Sequence, residues 1–251
     1  MIPSIRQVTS PNIEPRKAGK TVDALILHYT GMDSAEAACA WLCAPESKVS
    51  CHYLIDELGR VTCMVDETMR AWHAGVSSWR GESDLNSHSI GIEIHNPGHT
   101  GGYPDFPAEQ MDAVVRLARA ICTRHGIAPA RVLAHSDIAP LRKIDPGEKF
   151  DWGFLHQHGI GHWVTPEPLT AGPALASGDS GAAVANLQRT LADYGYGLAI
   201  TGDFDGLTEA VVRAFQRHFR TARVDGIADV STIKTLQRLI AALVETSGLK
   251  T

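Results

Sequence analysis

Between Val164 and Ser177 the chain loses hydrophobic periodicity and carries three prolines, Pro166, Pro168 and Pro173. Proline fixes φ and removes a backbone donor, so neither a helix nor a central strand runs through such a stretch. The chain is therefore expected to fold as two blocks, 1–163 and 178–251, joined by a semi-extended linker over 164–177. Each block must bury a core of its own pattern, and the patterns differ.

The first block alternates extended apolar runs with helical periodicity. Val22 to Leu27 reads as a buried strand that delivers His28 at its end, and Ser89 to Ile94 as another. Residues 51–56 and 61–65, separated by Glu57-Leu58-Gly59-Arg60, read as a hairpin. Asp33 followed by Glu36 predicts a capped helix start, with the helix running through Leu42. From Ala108 to His125 the apolar positions recur at helical spacing, and Gly126 supplies the stop. Arg131 to Ala134 is a last short strand ending at His135. This order predicts an α/β block, a mixed central sheet flanked by helices. The second block predicts three amphipathic helices, carrying Val184, Leu187 and Leu191, then Val211, Ala214, Phe215 and Phe219, then Ile233, Leu236, Ile240 and Leu243. Each helix contains an apolar–Gln pair, and each follows a Gly- and Asp-containing turn.

Composition removes several functional classes. With 44% hydrophobic and 20% charged residues, a packed core is expected. A net charge of -5 supplies no basic face for nucleic acid, and no apolar run is long enough to span a bilayer. The five cysteines lack a CxxC pair and read as small buried residues. Met1 to Lys20 contains no apolar core of a standard signal peptide. Location is thus expected to be cytoplasmic by sequence, with the cell envelope left open by the second block. Nothing in the residues sets an oligomeric state.

Twelve histidines demand a reason to single any out. His28 and His135 both end apolar strands, where α/β sheets present ligand sites. Asp145 follows in Ile144-Asp145-Pro146-Gly147, a turn able to aim a carboxylate inward. Two imidazoles and a carboxylate leave one open tetrahedral position on Zn²⁺. By spacing alone, strand-end histidines satisfied by hydrogen bonds are the favoured reading, because the three candidate ligands come from distant segments.

Four segments carry a more specific signal: Leu25-Ile26-Leu27-His28-Tyr29-Thr30, Ala71-Trp72-His73-Ala74-Gly75, Ser89-Ile90-Gly91-Ile92-Glu93, and His135 through Gly147. In this order they resemble the type 2 N-acetylmuramoyl-L-alanine amidases, relatives of the peptidoglycan recognition proteins. The resemblance implies zinc held by His28, His135 and Asp145 in a surface groove. It implies Glu93 as the catalytic carboxylate that handles the water proton. Lys143 is implied as the basic residue near the metal, stabilising an oxyanion by about 3 kcal/mol. Leu141 stands where relatives often place Gly, which alters the loop and removes no ligand. Asp137, only two residues after His135, is the weaker alternative to Asp145.

His52, Trp72, His73, Trp79 and Asn96 are expected to line the substrate groove, with Arg80 a lesser candidate; the aromatic residues suit sugar stacking. Trp72 reads equally as core, and His73 as a turn cap. His88, His95, His99, His156, His158 and His162 are expected to face solvent. The second block, over Gly178 to Leu243, resembles the peptidoglycan-binding type 1 domain. Arg213, Arg217 and Arg220 share a helix flank there and are candidates for stem-peptide carboxylates or a solvated face. Tethered by the linker, such a module would raise local substrate concentration. The implied partner is peptidoglycan or a soluble muropeptide. A non-catalytic recognition protein and a zinc peptidase of other bond specificity are the competing readings.

Overall fold

A computed structural model describes residues 5–248, so the ends of the leading segment and of the helical block (residues 1–4 and 249–251) lie outside the described residues. Strands β1 (Arg6–Gln7), β2 (Ile13–Pro15) and β3 (Ala24–Tyr29) precede helix α1 (Ala35–Leu42). Then come β4 (Tyr53–Ile55), β5 (Val61–Cys63), β6 (Met69–Ala71), α2 (Leu85–His88) and β7 (Ser89–Ile94). Helix α3 (Ala108–His125), β8 (Val132–Ala134), α4 (His135–Ile138) and α5 (Trp152–Gln157) complete the first block. The second holds α6 (Ala182–Tyr194), α7 (Gly206–Phe219) and α8 (Val230–Gly248).

Six strands form one mixed sheet in the order β1-β5-β4-β7-β3-β8, with β4 and β5 antiparallel and the other neighbours parallel. β2 and β6 make a separate antiparallel pair. These two, and β1, fall where the sequence shows no strand periodicity, because each is only two or three residues long. The expected hairpin, the strand over Ser89–Ile94 and the helix over Ala108–His125 all form. The α1 cap is shifted by one residue: Ser34, not Asp33, accepts from the Ala37 amide at 3.1 Å.

Strand alternation assigns the two sheet faces. Leu25, Leu27, Ile90, Ile92 and Ile94 pack against Met111, Val114, Ala118 and Ile121 of α3. Ala24 and Ile26 point the other way, and His28 follows them at the strand end. On that face one cluster joins Ala24, Ile26, Trp79, Leu133 and Ile138 to Val184, Leu187, Tyr194, Val211, Phe215 and Phe219 of the helical block. The second block is thus not a loosely tethered unit. It covers apolar surface that the sheet and α4 leave open, and the two blocks share a core.

The apolar–Gln pairs acquire a physical meaning. Gln188, 1% exposed, accepts from the amides of Thr201 and Gly202 at 2.9 Å and donates to the Asp203 carbonyl. Gln216, fully buried, accepts from Asp225 and Gly226 at 3.0 and 2.9 Å and donates to Ile227. Each glutamine clamps the turn that follows its helix, so the repeat is a repeat of turn clamps. Gln237 of the third pair is exposed.

Candidate metal centre and groove

His28 lies near the end of β3, beside Glu93 of β7 in direct register, and His135 opens α4 right after β8. Parallel pairing therefore brings residues from three distant segments to one end of the sheet. Asp145 joins them because the Ser136 amide donates to its carbonyl at 3.0 Å. The Tyr103 hydroxyl donates to the Pro146 carbonyl at 2.8 Å and pins the turn.

His28 Nδ1 lies 2.8 Å from His135 Nδ1 and 3.2 Å from Asp145 Oδ2, and His135 Nδ1 lies 3.0 Å from the same oxygen. All three residues are buried. A tetrahedral ion with bonds of about 2.0–2.1 Å holds its ligands about 3.3 Å apart, so this triangle is close to the size required. Chemistry agrees with geometry. His135 Nε2 sits 3.2 Å from the Ala74 carbonyl, which can only accept, so the Nε2–H donates and Nδ1 carries a lone pair. Burial first, then the adjacent His135, lowers the His28 pKa to about 4, leaving it neutral near pH 7. Burial pushes the Asp145 carboxyl up, but its interactions with His135 and then His28 outweigh it and hold the pKa far below the usual carboxylate range, so the group is ionised. Two lone pairs and a carboxylate converging on one point could hold a metal ion.

The site floors a groove of about 460 Å³ lined by Tyr29, Trp41, Trp72, Glu93, Lys143 and Ile144, among others. Burial, and then the charge of Asp145, raises the Glu93 pKa well above its usual value, while Lys143 opposes the shift. Glu93 Oε2 is buried without a protein hydrogen-bond partner. A buried carboxyl with a raised pKa and an unpartnered oxygen beside the groove is a candidate for proton transfer.

Two family profiles match the sequence: N-acetylmuramoyl-L-alanine amidase over residues 18–148, and peptidoglycan binding domain over residues 180–236. The chain belongs to the N-acetylmuramoyl-L-alanine amidases. Over 240 residues this amidase is 37% identical to N-acetylmuramoyl-L-alanine amidase AmiD of Escherichia coli (strain K12), an alignment covering 90% of the chain and 84% of AmiD. It is 34% identical over 164 residues to 1,6-anhydro-N-acetylmuramyl-L-alanine amidase AmpD of the same strain, covering 59% of the chain and 87% of AmpD. The structure of Escherichia coli AmiD in complex with anhydro-N-acetylmuramic acid-L-Ala-D-gamma-Glu-L-Lys superposes with a TM-score of 0.76 at 35% identity, covering 91% of the chain and 93% of AmiD. AmpDh3 of Pseudomonas aeruginosa superposes at 0.75 and 35% identity, over 91% and 95% of the two chains. The amidase is accordingly a hydrolase with a mixed α/β fold.

Several expected groove residues of the amidase lie elsewhere. Trp79 is fully buried and meets Tyr194 and Tyr196 edge-on at 5.9 and 5.0 Å, so its loop seats on the helical block instead of stacking on sugar. Arg80 follows it, its amide donating to the Gly195 carbonyl at 2.8 Å. His52 is also fully buried: the Gly91 amide donates to its Nδ1 at 3.0 Å, and its Nε2–H donates to the Met69 carbonyl at 3.2 Å. Burial, then the charge of Arg16, lowers its pKa to about 3. Asn96 braces its own loop, donating to the Pro104 carbonyl and accepting from the Gly98 amide, both at 2.9 Å. Trp72 and His73 both line the groove, His73 from beneath, only 8% exposed and with its ring against His28. Burial, then the neighbouring His28 and His52, keeps His73 well below the usual histidine pKa.

Other expectations also need correction. His88 and His162, expected in solvent, are buried. Arg220, a candidate for stem-peptide contact, is 1% exposed and paired with Asp229 at 3.2 Å. Sequence reasoning missed the Ala74 carbonyl, Asn86 and Ser89 beneath His28 and His135, because a backbone acceptor carries no residue signature.

Proposed function

We propose that the protein is a zinc-dependent amidase that hydrolyses the bond between the lactyl group of muramic acid and L-alanine in peptidoglycan-derived muropeptides. The observation that carries this reading is the convergence of His28, His135 and Asp145 beside Glu93 and Lys143 on one groove. Nitrogen and carboxylate donors at three positions suit Zn²⁺, and three protein ligands leave a position for substrate or water. When bound there, zinc supplies Lewis acidity toward the scissile carbonyl and toward water.

The chain's own residues account for the remaining chemistry. Glu93, lifted in pKa by burial, takes a proton from the attacking water and passes it to the departing alanine nitrogen. Lys143, on the groove wall, places positive charge near the oxygen that becomes negative as the carbonyl is attacked. Trp72, Trp41 and Ile144 give the groove an apolar wall for the sugar ring and stem peptide. The anhydro-muropeptide bound by AmiD is the substrate class that its likeness to this chain supports.

Digestion of purified anhydro-muropeptide and of intact sacculi, followed by mass spectrometry, tests the proposal. Free stem peptide beginning at L-alanine is expected from at least one substrate, abolished by a chelator, restored by zinc, and absent with Glu93→Ala. Shortened peptides still attached to sugar, or activity unaffected by chelation, would overturn it.

A further inference from the structure

Behind the three donors lies a second arrangement that does not touch the groove chemistry directly. The amides of His73 and Ala74 both donate to the Asn86 side-chain oxygen, at 3.0 and 2.8 Å. Asn86 is 6% exposed, so this is a buried clamp on a two-residue segment. The Ala74 carbonyl accepts from His135 Nε2, as described, and the His73 ring reaches His28: His73 Nδ1 lies 3.0 Å from His28 Nε2.

The direction of the last bond follows from its neighbours. The Ser89 hydroxyl lies 2.5 Å from the Leu85 carbonyl, and a carbonyl cannot donate, so the single hydroxyl hydrogen goes there. Ser89 Oγ can then only accept from His73 Nε2, 3.2 Å away. A neutral His73 with its hydrogen on Nε2 has a bare Nδ1, which must accept from His28 Nε2–H. His28 is left with its lone pair on Nδ1, the atom facing His135 and Asp145. Space for this ring is reserved: a Cβ on Gly91 would fall 2.6 Å from Cγ and Nδ1 of His73.

We infer that His73 is a positioning residue that fixes the tautomer and ring orientation of His28, and that Asn86 holds residues 73 and 74 so that one short segment orients both histidine donors. The inference rests on the metal-site reading above. Acceptors behind metal-binding imidazoles fix the tautomer and raise ligand basicity, and their loss commonly weakens metal affinity 10–100-fold.

The test is zinc affinity of the full chain, measured by competition with a chromogenic chelator, together with the melting temperature of the metal-free protein. In His73→Leu the acceptor is lost with volume roughly kept, and a 10–100-fold loss of affinity is expected. In His73→Asn the side-chain oxygen falls near the place of Nδ1, and recovery of most of that loss is expected. Ser89→Ala, which leaves His73 free to change tautomer, should weaken binding by a smaller factor. A merely structural role would lower the metal-free melting temperature and leave His73→Asn as weak as His73→Leu, which would overturn the inference. So would wild-type affinity in His73→Leu. Failure of the unsubstituted protein to bind zinc would sink the metal-site reading itself and this inference with it.

Discussion

His218 donates from Nδ1 to Asp137 Oδ2 across 2.7 Å, with the two side chains 2% and 0% exposed. Tyr196 donates to the other carboxylate oxygen at 2.8 Å, and the Ala134 amide to the first at 2.8 Å. Asp137 sits two residues after His135, so the helical block is bonded to the turn that presents His135. His218 also stacks on Trp152 with ring centroids 3.7 Å apart. Removing one partner of a buried, charge-assisted bond costs about 3–5 kcal/mol. His218→Leu is therefore expected to lower stability by several kcal/mol, and a chain ending at Ser177 to lose folding cooperativity. Calorimetry of the intact protein should give one transition; two well-separated transitions would show the blocks melting independently.

Trp79 and Trp72 are expected to separate cleanly in mutant kinetics. Trp79→Ala removes a fully buried indole from the shared core and should destabilise by about 3–5 kcal/mol without changing KM. Trp72→Ala should raise KM for muropeptide with little effect on melting, because its ring borders the groove. Thermal denaturation and steady-state kinetics of both variants decide the assignment.

Glu93→Gln keeps the shape and removes proton transfer. A fall in kcat of about 10²–10⁴-fold is expected, with zinc affinity near that of the parent protein. Equilibrium dialysis alongside turnover measurements checks both halves. A variant that keeps its rate would require another base.

Glu67 sets an acid limit to stability. Burial would raise its pKa, but hydrogen bonds from Arg124, Tyr53 and His125 outweigh it and bring the group down to about 2. A folded-state pKa below the unfolded value gives stability that is full above about 4.5 and is lost as pH falls toward 2. Glu67→Gln should flatten the stability curve between those limits and leave the neutral-pH activity intact. Chemical denaturation across that range measures the difference.

The parts of this molecule legible in its sequence are those where side-chain pattern and structure share a period. The α3 stripe from Met111 to Ile121 and the strand from Ser89 to Ile94 are of this kind. His28, His135 and Asp145 converge because strand ends gather at one sheet edge, which spacing alone does not reveal and the quoted motifs do. Trp79 misled because Gly and aromatic residues mark both a binding loop and a docking loop. Only the position of Tyr194 and Tyr196, more than a hundred residues away, distinguishes them. His52 misled for a related reason: a histidine beside a strand is equally able to bridge backbone groups underneath.

The shared core has one more implication. A block whose Phe215 and Phe219 pack in the same cluster as Ile26 and Leu133 has no hinge about which to swing. Anything bound to those helices is consequently held at a constant offset from His28, His135 and Asp145, an offset set by the shared core and not by the length of the linker.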